Sequence, residues 1–296
     1  MKSKDMSIRA VRTSVLVSVL ALSRSTKRVL GLLAAPVAIL CAVFVTPVHA
    51  NDLFYTTAGA GADLIAIQVQ NVNKTTTTLI GPMGGGACAS LALSPWGTLY
   101  SMCGDLFGVQ KLATIDRGNG HATLFGVGVS GLAVMSLEFG PDGTLYAVGN
   151  CNPGPTECTP GSPNYNSLYK VNVGTGQFTR VGPTGAPFFF MDLAIDRDGN
   201  MYGVTSTLSP SGGPLSTLFR IDLATGTATK VVDLVGSTSL MGLSFDPKNN
   251  KLYATDFYSI NSALYLVDNI KTGFLTTVAT TGYGFSSNLV SVPKTN

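Results

Sequence analysis

The chain has 296 residues, of which 45% are hydrophobic and only 12% charged, with 34 glycines and 15 prolines. Its formal charge of +3 hides an asymmetry: residues 1–50 carry seven basic side chains against Asp5 alone, which leaves 12 basic (19 − 7) and 15 acidic (16 − 1) groups in residues 51–296, near −3. With so few cations and no basic run after residue 50, a nucleic-acid partner held through its phosphates is excluded.

In chain order, the basic stretch Lys2 to Arg28 runs into an apolar segment, Val29 to Val45, and then Val48-His49-Ala50. This is the pattern of a secretory signal cleaved after Ala50. The apolar segment contains Pro36 and is short for a membrane span. Residues 1–50 are therefore expected to be a signal peptide, and no membrane span is expected once it is cleaved. A secreted, periplasmic or cell-surface location follows.

From residue 51 the sequence repeats itself. SLALSPWGTLY ends at Tyr100, SLEFGPDGTLY at Tyr146, DLAIDRDGNMY at Tyr202 and GLSFDPKNNKLY at Tyr253, at intervals of 46, 56 and 51 residues. Each is a hairpin, two alternating apolar runs around a turn such as Pro141-Asp142-Gly143, where proline presets φ and glycine takes positive φ. A second hairpin follows each first one, as in LFRIDLATGTATKV from Leu218. No amphipathic helix is legible after residue 50. Four short antiparallel strands per ~50 residues make one blade of a β-propeller.

The blade number comes from the termini. Asn51 to Tyr55 matches the second half of a hairpin, and Leu289 to Pro293 has the Leu-x-x-x-Pro spacing of a first half. The expectation is an all-β, five-bladed propeller of four-stranded antiparallel blades, residues 51–296, with the first blade completed by the C-terminal strand. Closure of this kind removes exposed sheet edges. Units such as GLSFDPKNNKLYAT followed by LFRIDLATGTATKV resemble the repeats of secreted bacterial propeller proteins of uncharacterised function, loosely similar to NHL-type propellers. That resemblance covers nearly all of residues 51–296, implies the fold and carries no catalytic motif.

Four cysteines follow residue 50, an even number that in a secreted chain favours disulfides. Cys88 and Cys103 flank a hairpin almost symmetrically, and Cys151 and Cys158 bracket a short loop, so the expected pairs are Cys88–Cys103 and Cys151–Cys158. Cysteine spacing and the lack of a nearby histidine argue against zinc. No metal site or cofactor is expected beyond a weakly held calcium ion, for which no dense Asp/Asn loop exists.

Most carboxylates fall at turn positions shared between repeats and read as structural. Glu138 and Asp192 differ. Ser90, Ser136, Asp192, Gly242 and Asn288 share one repeat position, opening the innermost strands, and are expected to ring the channel mouth, with Glu138 two residues along the same side. A Glu and an Asp there are the candidate acids of a glycoside hydrolase or lyase. His121, the one histidine after residue 50, falls at a variable turn position and supports no triad.

The long connections supply the other candidate surface. They bring Tyr165, Phe189, Phe257 and Tyr258 as candidate ligand-binding residues, and a run Phe188–Phe190 able to plug the channel instead. The expected function is a secreted, monomeric binding or scaffold module recognising a carbohydrate, a peptide or an envelope protein through its loop-rich face. The alternatives are an enzyme at the channel mouth and a structural envelope protein without a small ligand.

Overall fold

The computed structural model describes residues 52–71, 74–106, 108–151, 165–208, 214–236, 239–257 and 259–293. The proposed signal peptide, Cys158 and Tyr258 lie outside these residues. Twenty-one strands and no helices make up the described residues.

Blade one is β1 (Asp52–Ala58), β2 (Asp63–Asn71) and β3 (Lys74–Pro82), with β21 (Ser287–Val292) as its innermost strand. Blade two is β4 (Ala87–Cys88), β5 (Ala92–Leu93), β6 (Leu99–Gly104), β7 (Val109–Ile115) and β8 (Ala122–Ser130). Blade three is β9 (Leu132–Phe139), β10 (Leu145–Cys151), β11 (Ser167–Val171) and β12 (Phe178–Pro183). Blade four is β13 (Phe190–Ile195), β14 (Met201–Leu208), β15 (Pro214–Ile221) and β16 (Ala228–Leu234). Blade five is β17 (Leu240–Phe245), β18 (Leu252–Asp256), β19 (Ala263–Val267) and β20 (Leu275–Thr280). All ladders are antiparallel, and β21 pairs with β1 from Leu53↔Val292 to Thr56↔Leu289. The five-bladed ring closed by the C-terminal strand is thus as the sequence predicts.

Blade two departs from the pattern. Its innermost strand is split into β4 and β5, both pairing with β6. Ser90, in the gap, explains the split: its hydroxyl accepts from Met102 N at 2.8 Å and its carbonyl accepts from the Ser101 hydroxyl, replacing ladder bonds with side-chain ones. Cys88 and Cys103 stand directly opposite in the register and form the expected disulfide.

Each blade alone would leave its apolar faces in water, and the ring buries them. The described residues hold five apolar clusters, one at each blade-to-blade interface. At the closing interface Phe54, Ile67 and Leu289 pack with Tyr253, Leu264 and Val278, and the Phe54 and Tyr253 rings are 4.8 Å apart. Fully burying one such side chain contributes roughly 1.5–3 kcal/mol, so the seam closed by β21 is held by an apolar cluster as the other interfaces are.

Outside the clusters the backbones themselves meet. Outer-strand Gly182 lies so close to the Thr225 carbonyl of the next blade that a Cβ would collide with it, and Gly81 meets Asn119 in the same way. Beside these approaches, Ala228 N donates to Thr184 O and Ala122 N to Met83 O, each at 2.8 Å. Glycine here is a requirement of close backbone approach. The outer-hairpin turns at Asn119-Gly120 and Thr225-Gly226 are therefore also the rivets between blades.

Candidate functional site

In this antiparallel meander the tight turns inside each hairpin emerge on one face, and the β2–β3-type turns lie beside them. The second-to-third strand loops and the blade connections emerge on the other. Asp142, Asp196 and Asp246 hold the tight turns as the sequence predicts: their Oδ1 atoms accept from Thr144 N at 3.0 Å, Asn200 N at 2.8 Å and Lys248 N at 2.9 Å. Among the other carboxylates, Asp52 is buried and its Oδ1 accepts from Lys248 Nζ at 2.7 Å, tying the start of β1 to the blade-five turn.

The residues that open the innermost strands do converge, but not as an open mouth. Asp192 is 1% exposed, and Ser90, Ser136 and Asn288 are equally enclosed. Asp192 Oδ1 accepts from the Ser136 hydroxyl at 2.7 Å, from Leu193 N at 3.0 Å and from Asn288 Nδ2 at 3.3 Å. Its Oδ2 accepts from Leu243 N at 2.7 Å and Leu289 N at 3.0 Å. One carboxylate thus joins blades three, four, five and one. Burial pushes its pKa from the usual 3.8 up to about 7, against the opposing pull of these same donors. Asn288 reaches Asp192 from a left-handed backbone, φ 58°, which asparagine tolerates better than most residues, and its Nδ2 also donates to Met135 O at 2.9 Å.

Glu138 has a different position. It lies at the tight-turn end of β9 and lines a cavity of about 550 Å3 that opens on the tight-turn face. Its carboxyl is held well above the usual range, first by burial in the channel and then by the charge of Asp192 behind it. All five blades contribute to this cavity: Pro95 and Trp96, Phe139 and Pro141, Ile195 and Arg197, Phe245 and Pro247, and Val292 and Pro293. Trp96, the one tryptophan of the chain, is 56% exposed at its mouth and stands edge-on to Phe139 with ring centres 5.5 Å apart. Arg197 also lines the wall, but its guanidinium is committed to the carbonyls of Pro247 and Lys248, at 3.1 and 2.6 Å.

The candidate acids are therefore neighbours in field but not in access: Glu138 faces the cavity, while every oxygen of Asp192 is enclosed by donors. Sequence reasoning missed the cavity because it placed the site at the loop end of the channel. Trp96, standing where the other repeats have Asp142, Asp198 and Lys248, was the signal available.

On the loop face the predicted aromatics divide into separate pairs. Tyr165 packs on Phe189, ring centres 5.2 Å apart, and its hydroxyl donates to Pro187 O at 3.2 Å. Phe257 packs edge-on to Phe285 at 5.6 Å. Phe190 plugs nothing; it is buried between blades three and four against Phe219. Phe188 stays 43% exposed. Cys151 takes part in a disulfide, and the partner expected for it, Cys158, lies outside the described residues. Among the described residues no three His, Cys, Asp or Glu side chains gather as a metal site would need, and no helix is long and apolar enough to cross a membrane.

Fold and site together define a five-bladed β-propeller with an enclosed carboxylate at its hub and one cavity beneath it. No family model matches the sequence, and no curated protein matches it. Among solved structures, the chain is similar to a protein of unknown function from Bacteroides thetaiotaomicron, with 13% identity and a TM-score of 0.51 over 81% of this chain and 64% of that one. It is similar to a chain of the nidogen/laminin complex at 10% identity and a TM-score of 0.50, covering 81% and 98%. A gluconolactonase from Xanthomonas campestris aligns at 15% identity and a TM-score of 0.46, covering 81% and 79%. At these identities the likeness is one of fold alone.

Proposed function

We propose that this protein is a secreted binding module that seats its ligand in the cavity of the tight-turn face. The observation that carries the reading is the exposed Trp96 at the mouth of a 550 Å3 cavity to which all five blades contribute. A concave, largely apolar site with a few convergent polar groups is the usual form of a ligand seat. An exposed indole there supplies contact area at little cost in ordering. The loop face, with Tyr165, Phe189 and Phe257, is a second contact surface in this reading, suited to a peptide or an envelope protein.

Trp96 is also the test. Because it is the only tryptophan, its fluorescence reports the cavity mouth without labelling. A glycan and peptide array run with the purified protein, followed by tryptophan-fluorescence titration of each hit, should give ligands that change Trp96 emission and lose affinity in Trp96→Ala. Hits that leave the emission unchanged and depend instead on Tyr165 and Phe257 would move the site to the loop face.

The enzymatic alternative, a glycoside hydrolase or lyase, has one observation in its favour: Glu138 combines a raised pKa with a place in the cavity. It lacks a second acid with free access, because Asp192 is walled in. Turnover that disappears in Glu138→Gln would support it.

A further inference from the structure

Among the described residues neither acid at the centre of the channel is in an ion pair. The two ion pairs found among the described residues, Lys230–Asp233 and Lys248–Asp52, reach neither Glu138 nor Asp192. Asp192 is compensated by dipoles alone, from Ser136, Leu193, Leu243, Asn288 and Leu289. Around the cavity, the guanidinium of Arg197 on the turn after β13 keeps its charge but is held in place by two backbone carbonyls and pairs with neither acid. Asp196 on the same turn is spent on Asp198 N and Asn200. Arg117, on the turn after β7, lies at the rim and is exposed, where water and salt screen it.

An ionised carboxyl group shielded from water costs free energy, so it keeps its proton unless an opposite charge is brought to it. The walls above Glu138 are suited to the same guest. Trp96 and Phe139 line the cavity together, with Phe245 also on its wall, and aromatic faces attract cations, tryptophan most strongly. A neutral sugar would find stacking area but would leave Glu138 without its counter-charge, and an anion would meet an acid at the floor.

We propose that the tight-turn cavity is a seat for an organic ammonium group, either a lysine side chain of a peptide or a free amine, held by Glu138 at the floor and by Trp96 at the mouth. The proposal rests on the reading of the cavity as the binding site. It selects a cationic guest over a neutral carbohydrate.

Two chemical probes separate the sources of that guest: Nα-acetyl-lysine methylamide for a side chain, and choline for a free quaternary amine. Cellobiose and acetate serve as the neutral and anionic comparisons. Titrated against Trp96 emission of the whole protein, at least one ammonium probe should saturate. Its affinity should fall by roughly tenfold or more in Glu138→Gln, the usual cost of removing a charged hydrogen-bond partner from an enclosed site. In the unsubstituted protein the affinity should rise with pH, because protonated Glu138 cannot neutralise a cation. That second measurement holds even where the variant folds poorly. Saturation by cellobiose that is indifferent to Glu138→Gln would overturn the ammonium proposal and leave the cavity reading standing. Calorimetric binding of the probes that survives Trp96→Ala, or no response from any probe or array hit, would remove both.

Discussion

The Ser136 hydroxyl donates a 2.7 Å hydrogen bond to the Asp192 carboxylate across the channel, joining strands of neighbouring blades that are 56 residues apart in sequence. The same carboxylate collects donors from Leu193, Leu243, Asn288 and Leu289, so a single side chain organises the inner ring. Asp192→Asn places an NH2 group where N–H donors already point. It should destabilise the fold by about 2–4 kcal/mol, and Ser136→Ala by about 1–2 kcal/mol. Chemical denaturation of both variants measures this, and a cost below about 0.5 kcal/mol for Asp192→Asn would show that the hub is not structural.

The hub also sets the sign of the pH dependence. Asp192 has a folded pKa raised from the usual 3.8 to about 7, and that of Glu138 is raised as well. Above about pH 4 the folded protein retains protons that the unfolded chain has lost, so stability falls as pH rises, and the part due to Asp192 is complete a little above pH 7. For Asp192 the difference of about three pH units corresponds to as much as about 4 kcal/mol. Asp142, Asp222 and Asp233, whose pKa values are lowered, act in the opposite sense, but they lie at the surface and their contribution is small. Melting temperature is therefore expected to be higher at pH 5 than at pH 8, with the slope much reduced in Asp192→Asn.

Ring closure depends on β21. Truncation before Ser287 removes Leu289 and Val290, both at most 4% exposed, together with two of the five donors to Asp192. It also leaves the inner edge of β1 unpaired. The truncated chain should fail to show a cooperative thermal transition, or melt more than about 10 °C lower. A transition within a couple of degrees of the full chain would contradict a load-carrying closure.

The blade rivets separate two kinds of glycine. Gly182→Ala drives a methyl group into the Thr225 carbonyl and should cost about 2–4 kcal/mol. Gly185 has φ 70° with no atom within 4 Å of the added carbon, so Gly185→Ala meets only backbone strain, about 1–2 kcal/mol. Equal costs for the two, measured by denaturant unfolding, would mean that conformation rather than contact dictates both.

Reduction of Cys88–Cys103 opens a link 15 residues apart in sequence, worth about 3 kcal/mol in the chain-entropy account. Its loss in Cys88→Ala/Cys103→Ala should lower the melting temperature without changing the far-ultraviolet circular dichroism. Peptide mapping of the same protein under non-reducing conditions will also report whether Cys151 is joined to Cys158.

The sequence by itself determined the blade, the number of blades, the closing strand and the Cys88–Cys103 pair. These are local or periodic features: turn chemistry at Pro141-Asp142-Gly143, alternation along Leu137 and Phe139, and symmetric spacing of cysteines about a hairpin all act within a few residues of chain. The turn aspartates Asp142, Asp196 and Asp246 were legible for the same reason, since an Asx turn is complete within its own segment. Tertiary structure alone decided what Asp192 and Glu138 do. They are separated by 54 positions and share a strand face by repeat phase, yet one is enclosed by donors from blades one, three, four and five while the other lines a cavity. That difference arises from the convergence of five strands on one axis, where the distance between side chains is set by the radius of the ring, a quantity that no single repeat contains.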